Sequence, residues 1–166
     1  MRAFIPSFLV IFLDQLSKIW IKNNYSLYES QNILGDFLRF TYVENPGLAF
    51  GIRIGSLKLL VTIISALIAS YLVFLLYNSK KLMLIYIERL SLSLILGGAI
   101  GNLIDRIIVY IPNSGYNGVV DFIDVGLIDH RWYIFNIADS AVTIGIILYL
   151  AYSIFFEDKS IINDAR

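Results

Sequence analysis

Apolar residues run through this chain in long blocks, and four blocks are long enough to be read as membrane-spanning helices. The first starts at Ala3 to Leu13 and must continue through Asp14, Gln15, Lys18 and Lys22 to cross a bilayer, giving a span over about residues 4–23. Arg2 followed by an apolar run resembles the start of a secretory leader, but no small-x-small cleavage pattern follows. An uncleaved helix is therefore predicted. Leu59 to Ser79 carries no charge and predicts a second span over about 57–79. The third, about 84–104, has Glu88 and Arg89 near its start and is uncharged from Leu90 to Ile104. The fourth, about 133–156, contains one carboxylate, Asp139.

Two longer connections remain, about 24–56 and 105–132, and loops of this size carry function more often than short ones. The aromatic and apolar residues of Asp36-Phe-Leu-Arg-Phe-Thr-Tyr-Val-Glu44 suggest a short strand, and Asn45-Pro46-Gly47 suggests a turn after it. Turn residues at Pro112-Asn-Ser-Gly-Tyr-Asn-Gly118, followed by Val119-Val120, suggest a partner strand. The expected fold is an all-α membrane protein with four transmembrane helices, a small extracytoplasmic β-containing platform and a single domain over residues 1–166.

Charge placement orients these spans. Lys80 and Lys81 between the second and third, and Lys159 and Arg166 after the fourth, place that link and the C-terminus in the cytoplasm. Four spans return the N-terminus to the same side, where Arg2 agrees. Composition supports a membrane protein, with 58% hydrophobic and 16% charged residues. Thirteen basic residues balance thirteen acidic ones, so no basic field is available for nucleic acid. Without Cys and with His130 as the one His, thiol catalysis, a Cys-ligated metal and a Ser-His-Asp triad are disfavoured, and no metal or other cofactor is expected.

Polar groups at membrane depth are costly and need a partner or a task. Asn102, Asp105 and Arg106 share one helical face at the end of the third span. Asn136 and Asp139 repeat the Asn/Asp spacing at the start of the fourth, and Asp121 and Asp124 lie in the loop between. Paired aspartates sharing a proton are the available route to amide hydrolysis in such a chain, one acting as base toward water and the other as acid toward the carbonyl. Plainer readings stand beside this. Asp105 next to Arg106 reads as an orienting pair, and Asp14 with Lys18 as an i,i+4 salt bridge. Gly97, Gly98 and Gly101 read as a helix-packing face, Trp20 and Trp132 as interfacial anchors, and Asp139 as a carboxylate complementing a helix N-terminus. A small transporter or proton channel also uses intramembrane Asp and Arg, although here the acids cluster at one level and form no relay. A non-catalytic scaffold leaves the buried polar residues without a purpose.

Five blocks in order, Asp14-Gln-Leu-Ser-Lys18, Asn45-Pro-Gly-Leu-Ala-Phe50-Gly51, Gly101-Asn-Leu-Ile-Asp-Arg106, Val120-Asp-Phe-Ile-Asp124 and Phe135-Asn-Ile-Ala-Asp-Ser140, closely resemble those of the lipoprotein signal peptidases, or signal peptidase II. Pro46 and Leu48 depart from the pattern usual in the second block. The resemblance implies a bacterial inner-membrane aspartyl endopeptidase. A monomer among membrane lipids is expected. Its substrates would be prolipoproteins, cut before a diacylglyceryl-modified Cys. It implies catalytic roles for Asp121 and Asp139 and substrate-binding or supporting roles for Asn45, Asn102, Arg106 and Asn136. Asp14, Lys18 and Asp105 match positions of structural or less certain role.

Overall fold

A computed structural model describes residues 2–46, 57–127 and 130–157 of the chain. Four helices, α1 (Ile5–Asn24), α2 (Lys58–Tyr77), α3 (Tyr86–Ile108) and α4 (Ile137–Tyr152), are each part of a segment long and apolar enough to cross a membrane. Phe8, Phe12, Leu67, Phe74 and Ile147 face outward, as expected of helices whose solvent is lipid. Pro6 sits in the first turn of α1, where its missing N–H costs no hydrogen bond.

Helix α3 is the hub, packing against α1, α2 and α4. In lipid, apolar faces gain little from meeting each other, so close backbone approach and interhelical hydrogen bonds set the packing. Both are present. A Cβ on Gly98 would stand 2.2 Å from the Ala138 carbonyl oxygen of α4, and one on Gly97 would stand 2.7 Å from Val10 Cβ of α1. The glycine face expected from sequence is therefore the seam where α3 meets both neighbours. Ser7 and Ser93 exchange hydrogen bonds across the α1–α3 contact, their hydroxyl oxygens 2.7 Å apart. Leu96 of α3 packs with Ala69, Leu72 and Leu76 of α2.

A four-stranded antiparallel sheet, ordered β1 (Ser30–Leu34), β2 (Leu38–Asn45), β3 (Val119–Leu127) and β4 (His130–Arg131), sits at the end of the bundle where α1 and α3 finish and α4 begins. Tyr42, Val120 and Phe122 of the sheet bury against Ile21 and Tyr25 of the α1 end, which joins sheet and bundle in one apolar cluster. The register sets Val43 opposite Asp121, Glu44 opposite Val120 and Asn45 opposite Val119. A Cβ on Gly118 would fall 2.3 Å from the Asn45 carbonyl carbon, so only glycine lets these backbones meet.

Several boundaries differ from the sequence reading. Helix α3 runs on to Ile108, which puts Asp105 and Arg106 inside it. Helix α4 starts at Ile137, later than residue 133, because Asn136 caps it and Phe135 is drawn into a bridge with Ile123. Asp121 and Asp124 belong to a strand, not a loop, and Asn45 ends β2 where a turn was expected. Strand β1, polar for most of its length and exposed throughout, carried no alternating signal and was not foreseen. The Gly47 to Gly51 part of the second sequence block lies outside the described residues.

Candidate active site

Asp14 and Lys18 lie one turn apart on the buried face of α1, with side chains 0% and 1% exposed, and their ion pair measures 2.8 Å. Lys18 Nζ also reaches Asp105 Oδ2 at 2.9 Å and donates to Asn102 Oδ1 at 2.9 Å. A buried ammonium needs this number of acceptors, since nothing at that depth replaces water. The remaining oxygens are also satisfied. Asp14 Oδ1 accepts from the Ala138 N–H at 2.9 Å, Asp105 Oδ2 accepts from the Val120 N–H at 3.1 Å, and Gln15 Nε2 bridges Asp14, Asp105 and the Gly101 carbonyl. The two backbone amides held here immediately precede Asp139 and Asp121.

Those two aspartates form the second cluster. Asn136, wholly buried, donates from Nδ2 to Asp121 Oδ1 at 2.6 Å. At the same time its Oδ1 accepts from the Asp139 N–H at 2.9 Å and its own N–H donates to Asp139 Oδ2 at 3.3 Å, a reciprocal cap of α4. One residue thus holds both carboxylates, Asp121 through its side chain and Asp139 through its backbone N–H. Asn102 Nδ2 donates to Asp139 Oδ1 at 2.7 Å, and Asn45 Nδ2 donates to Asp121 Oδ2 at 3.2 Å. Asn136 Nδ2 also approaches Asn102 Oδ1 at 3.0 Å, linking this network to Lys18.

Asp121, 3% exposed, is pushed up to about 7 by burial first and then by the neighbouring Asp139 charge. The Asn45 and Asn136 hydrogen bonds and the Lys18 charge oppose that shift. The carboxyl therefore holds a proton at pH values where a solvated aspartate has lost it. Arg106, half-buried, lies within electrostatic reach of Asp139, Asp121 and Asp105. Among the described residues it forms no ion pair, so the orienting pair expected between Asp105 and Arg106 is not made. Asp105 turns to Lys18, which the helix faces bring directly against it. Among the described residues no cluster of three or more His, Asp or Glu side chains is placed to hold a metal ion.

The aspartates open on a cavity of about 810 Å³, lined by Asn45, Asn102 and Arg106 at its polar end and by Ile68, Val142, Ile144 and Ile146 along the helices. The nine site residues named from sequence divide between the two clusters, with Arg106 at the cavity wall. Gln15 and Glu44 were missed. Gln15 had a signal, an amide inside an apolar helix beside Asp14; Glu44 had little, since Lys22 and Asn117 are distant from it in sequence.

Residues 7–155 match the family model described as signal peptidase (SPase) II. The chain belongs to the signal peptidase II family. That places it among the multi-pass membrane aspartic peptidases. It is 43% identical over 155 residues to the lipoprotein signal peptidase of Clostridioides difficile, covering 92% of this chain and 94% of that one. It is 41% identical over 142 residues to the lipoprotein signal peptidase of Moorella thermoacetica, with 84% of each chain covered. Two solved structures titled as a bacterial membrane enzyme superpose with a TM-score of 0.75 at 30% and 31% identity. They cover 96% and 93% of this signal peptidase II chain and 90% and 94% of their own.

Proposed function

We propose that this signal peptidase II removes signal peptides from diacylglyceryl-modified prolipoproteins, cutting before the lipidated Cys, with Asp121 and Asp139 as the catalytic pair. The observation that carries the assignment is Asn136 bonded to both carboxylates, by its side-chain amide to Asp121 and its backbone N–H to Asp139, while no Lys or Arg is bonded to either among the described residues. Two carboxylates so placed lower their mutual repulsion by keeping one proton between them.

In this reading Asp139, at the first turn of α4, serves as the base, and Asp121, raised by burial, keeps the proton. In the proposed reaction ionised Asp139 takes a proton from a water molecule as its oxygen attacks the scissile carbonyl carbon. Asp121 gives its proton to the carbonyl oxygen, which yields a neutral tetrahedral diol and reverses the charges of the pair. Collapse returns the diol proton to Asp121 while Asp139 protonates the departing amine, so the enzyme is restored with one water consumed. Arg106, Asn45 and Asn102 line the approach and orient the peptide, and the apolar wall of the cavity receives the lipid-bearing end.

The positive-inside distribution supports a site facing the extracytoplasmic side with both termini in the cytoplasm; the proposed working unit is a monomer of one domain. A reporter fused after Lys81 should then read cytoplasm and one inserted near Asn113 the outside; the reverse would move the site to the wrong face. The direct test is cleavage of a lipidated precursor by the purified protein in detergent, with and without chelator. Cleavage should occur in both and fall steeply for the unlipidated precursor, because each buried methylene adds about 0.8 kcal/mol. Equal rates on both precursors, or an intact lipidated one, would remove this reading.

A further inference from the structure

One turn beyond Lys18, α1 presents a second lysine to the sheet. Lys22 Nζ meets Glu44 Oε1 of β2, donates to the Gly115 carbonyl at 2.7 Å and to the Tyr42 hydroxyl at 3.0 Å, and lies 4.2 Å from the centre of the Tyr116 ring. The Glu44 side chain is 4% exposed. Its Oε1 also accepts from the Tyr42 hydroxyl at 2.6 Å, and its Oε2 accepts from Asn117 N and Nδ2 at 2.8 and 3.0 Å. A single carboxylate therefore ties together the end of α1, strand β2 and the segment that leads into β3.

Alternation along β2 turns Glu44 and Asn45 to opposite faces, so anchoring one fixes the roll of the other. Asn117, held by Glu44, precedes Gly118, whose backbone rests on Asn45. The Asn45 to Asp121 hydrogen bond, at 3.2 Å, is longer than the Asn136 bond to the same carboxylate and the more easily lost if β2 rolls.

We infer that the Lys22–Glu44 pair is a positioning device for the reaction: by locking β2 against the 115–118 segment it aims Asn45 at Asp121. This rests on the catalytic reading above. Glu44 keeps its charge across the working range. Burial opposes the Glu44 charge, but the hydrogen bonds from Lys22, Tyr42 and Asn117 outweigh it and hold Glu44 below the usual carboxylate range. Burial and the Glu44 carboxylate hold the Tyr42 hydroxyl above its ordinary value.

The expected signature is a change in Asp121 itself. Asn45 favours its ionised form, so loosening Asn45 moves Asp121 upward. The other groups facing Asp121 remain: Asp139 and Asn136 at the start of α4, Lys18 on α1, and Arg106 on α3. The test compares Lys22→Met, Glu44→Gln, Lys22→Arg and Asn45→Ala in the full-length protein in detergent. It reads kcat and KM on a lipidated precursor, the melting temperature, and the Asp121 carboxyl titration by carbon-13 NMR, with Asp121→Asn assigning the signal. Lys22→Met and Glu44→Gln should each lower kcat about tenfold with KM changed little, as slight misplacement of a reacting group does. Each should raise the Asp121 midpoint by about half a pH unit, in the direction of the larger change in Asn45→Ala, which a lost hydrogen bond to a charged group would produce. Neither should add to the shift when combined with Asn45→Ala, and Lys22→Arg should restore most of kcat. A lower melting temperature with the Asp121 midpoint unmoved, or shifts that add to that of Asn45→Ala, would overturn the inference. If the wild-type protein left the precursor intact, the catalytic reading would fall while the NMR titration still decided whether the pair aims Asn45.

Discussion

Two pairs of aspartates lie side by side in this bundle, and they are stabilised in opposite ways. Asp14 and Asp105 flank Lys18 at 2.8 and 2.9 Å, and their carboxylates also accept backbone N–H groups and Gln15. Among the described residues, Asp121 and Asp139 receive only amide N–H groups, from the side chains of Asn45, Asn102 and Asn136 and from the Asn136 backbone. A carboxylate matched by a buried cation is a fixed charge whose removal strands its partner. A carboxylate matched only by amides is free to exchange a proton, which acid–base chemistry requires. The first pair also holds the backbone N–H immediately before each member of the second, so the static cluster is the scaffold on which the reactive one is aimed.

The largest expected effect is on turnover. Removing both carboxyls with Asp121→Asn and Asp139→Asn together should cost little more than removing either, because the two act as one unit. Kinetics of the double variant against the singles measures this, and a further large drop in the double variant would separate their roles. Next is Lys18→Met, which leaves Asp14 and Asp105 buried without their cation. A stability loss on the order of 3–5 kcal/mol is expected from unfolding titrations; an unchanged midpoint would mean that the cluster is not held by charge.

A smaller effect separates the pairs by pH. The folded-state value of Asp121, about 7, lies above that of a solvated aspartate, so the folded protein binds the extra proton. Stability from this group is full at low pH and is lost as pH rises through about 4 to 7. Asp121→Asn lacks that loss, so its stability relative to wild type should improve across the same window; a constant difference would contradict the assignment of the proton to Asp121. The smallest effect is at Asp124, which bonds Arg131 at 2.7 Å and Thr41 at 2.8 Å. Asp124→Asn should keep most turnover, and an inactive, folded variant would show that the wrong carboxylate of the strand had been chosen.

The helices were legible because runs such as Leu59 to Ser79 leave few alternatives to a span, and the glycine face of α3 because small residues at helical spacing are how membrane helices approach. Asp14 with Lys18 was legible from i,i+4 spacing alone. The partner of Asp105 was not, since neighbouring Arg106 is adjacent in sequence while Lys18 becomes adjacent only after α1 packs on α3. The same holds for β1, whose exposed polar residues leave no periodic trace, and for Glu44, whose partners Lys22 and Asn117 come from elements joined only by the fold. Local spacing reveals pairs within one element; pairs that tertiary packing creates need the structure.

The most direct test measures turnover and melting temperature together on four variants, Asp14→Asn, Asp105→Asn, Asp121→Asn and Asp139→Asn. Asp121→Asn and Asp139→Asn should be inactive yet at least as heat-stable as wild type, whereas Asp14→Asn and Asp105→Asn should melt well below it. Retained turnover in Asp121→Asn or Asp139→Asn, or a loss of heat stability in them equal to that of the other two, would contradict the division between a reactive and a supporting pair.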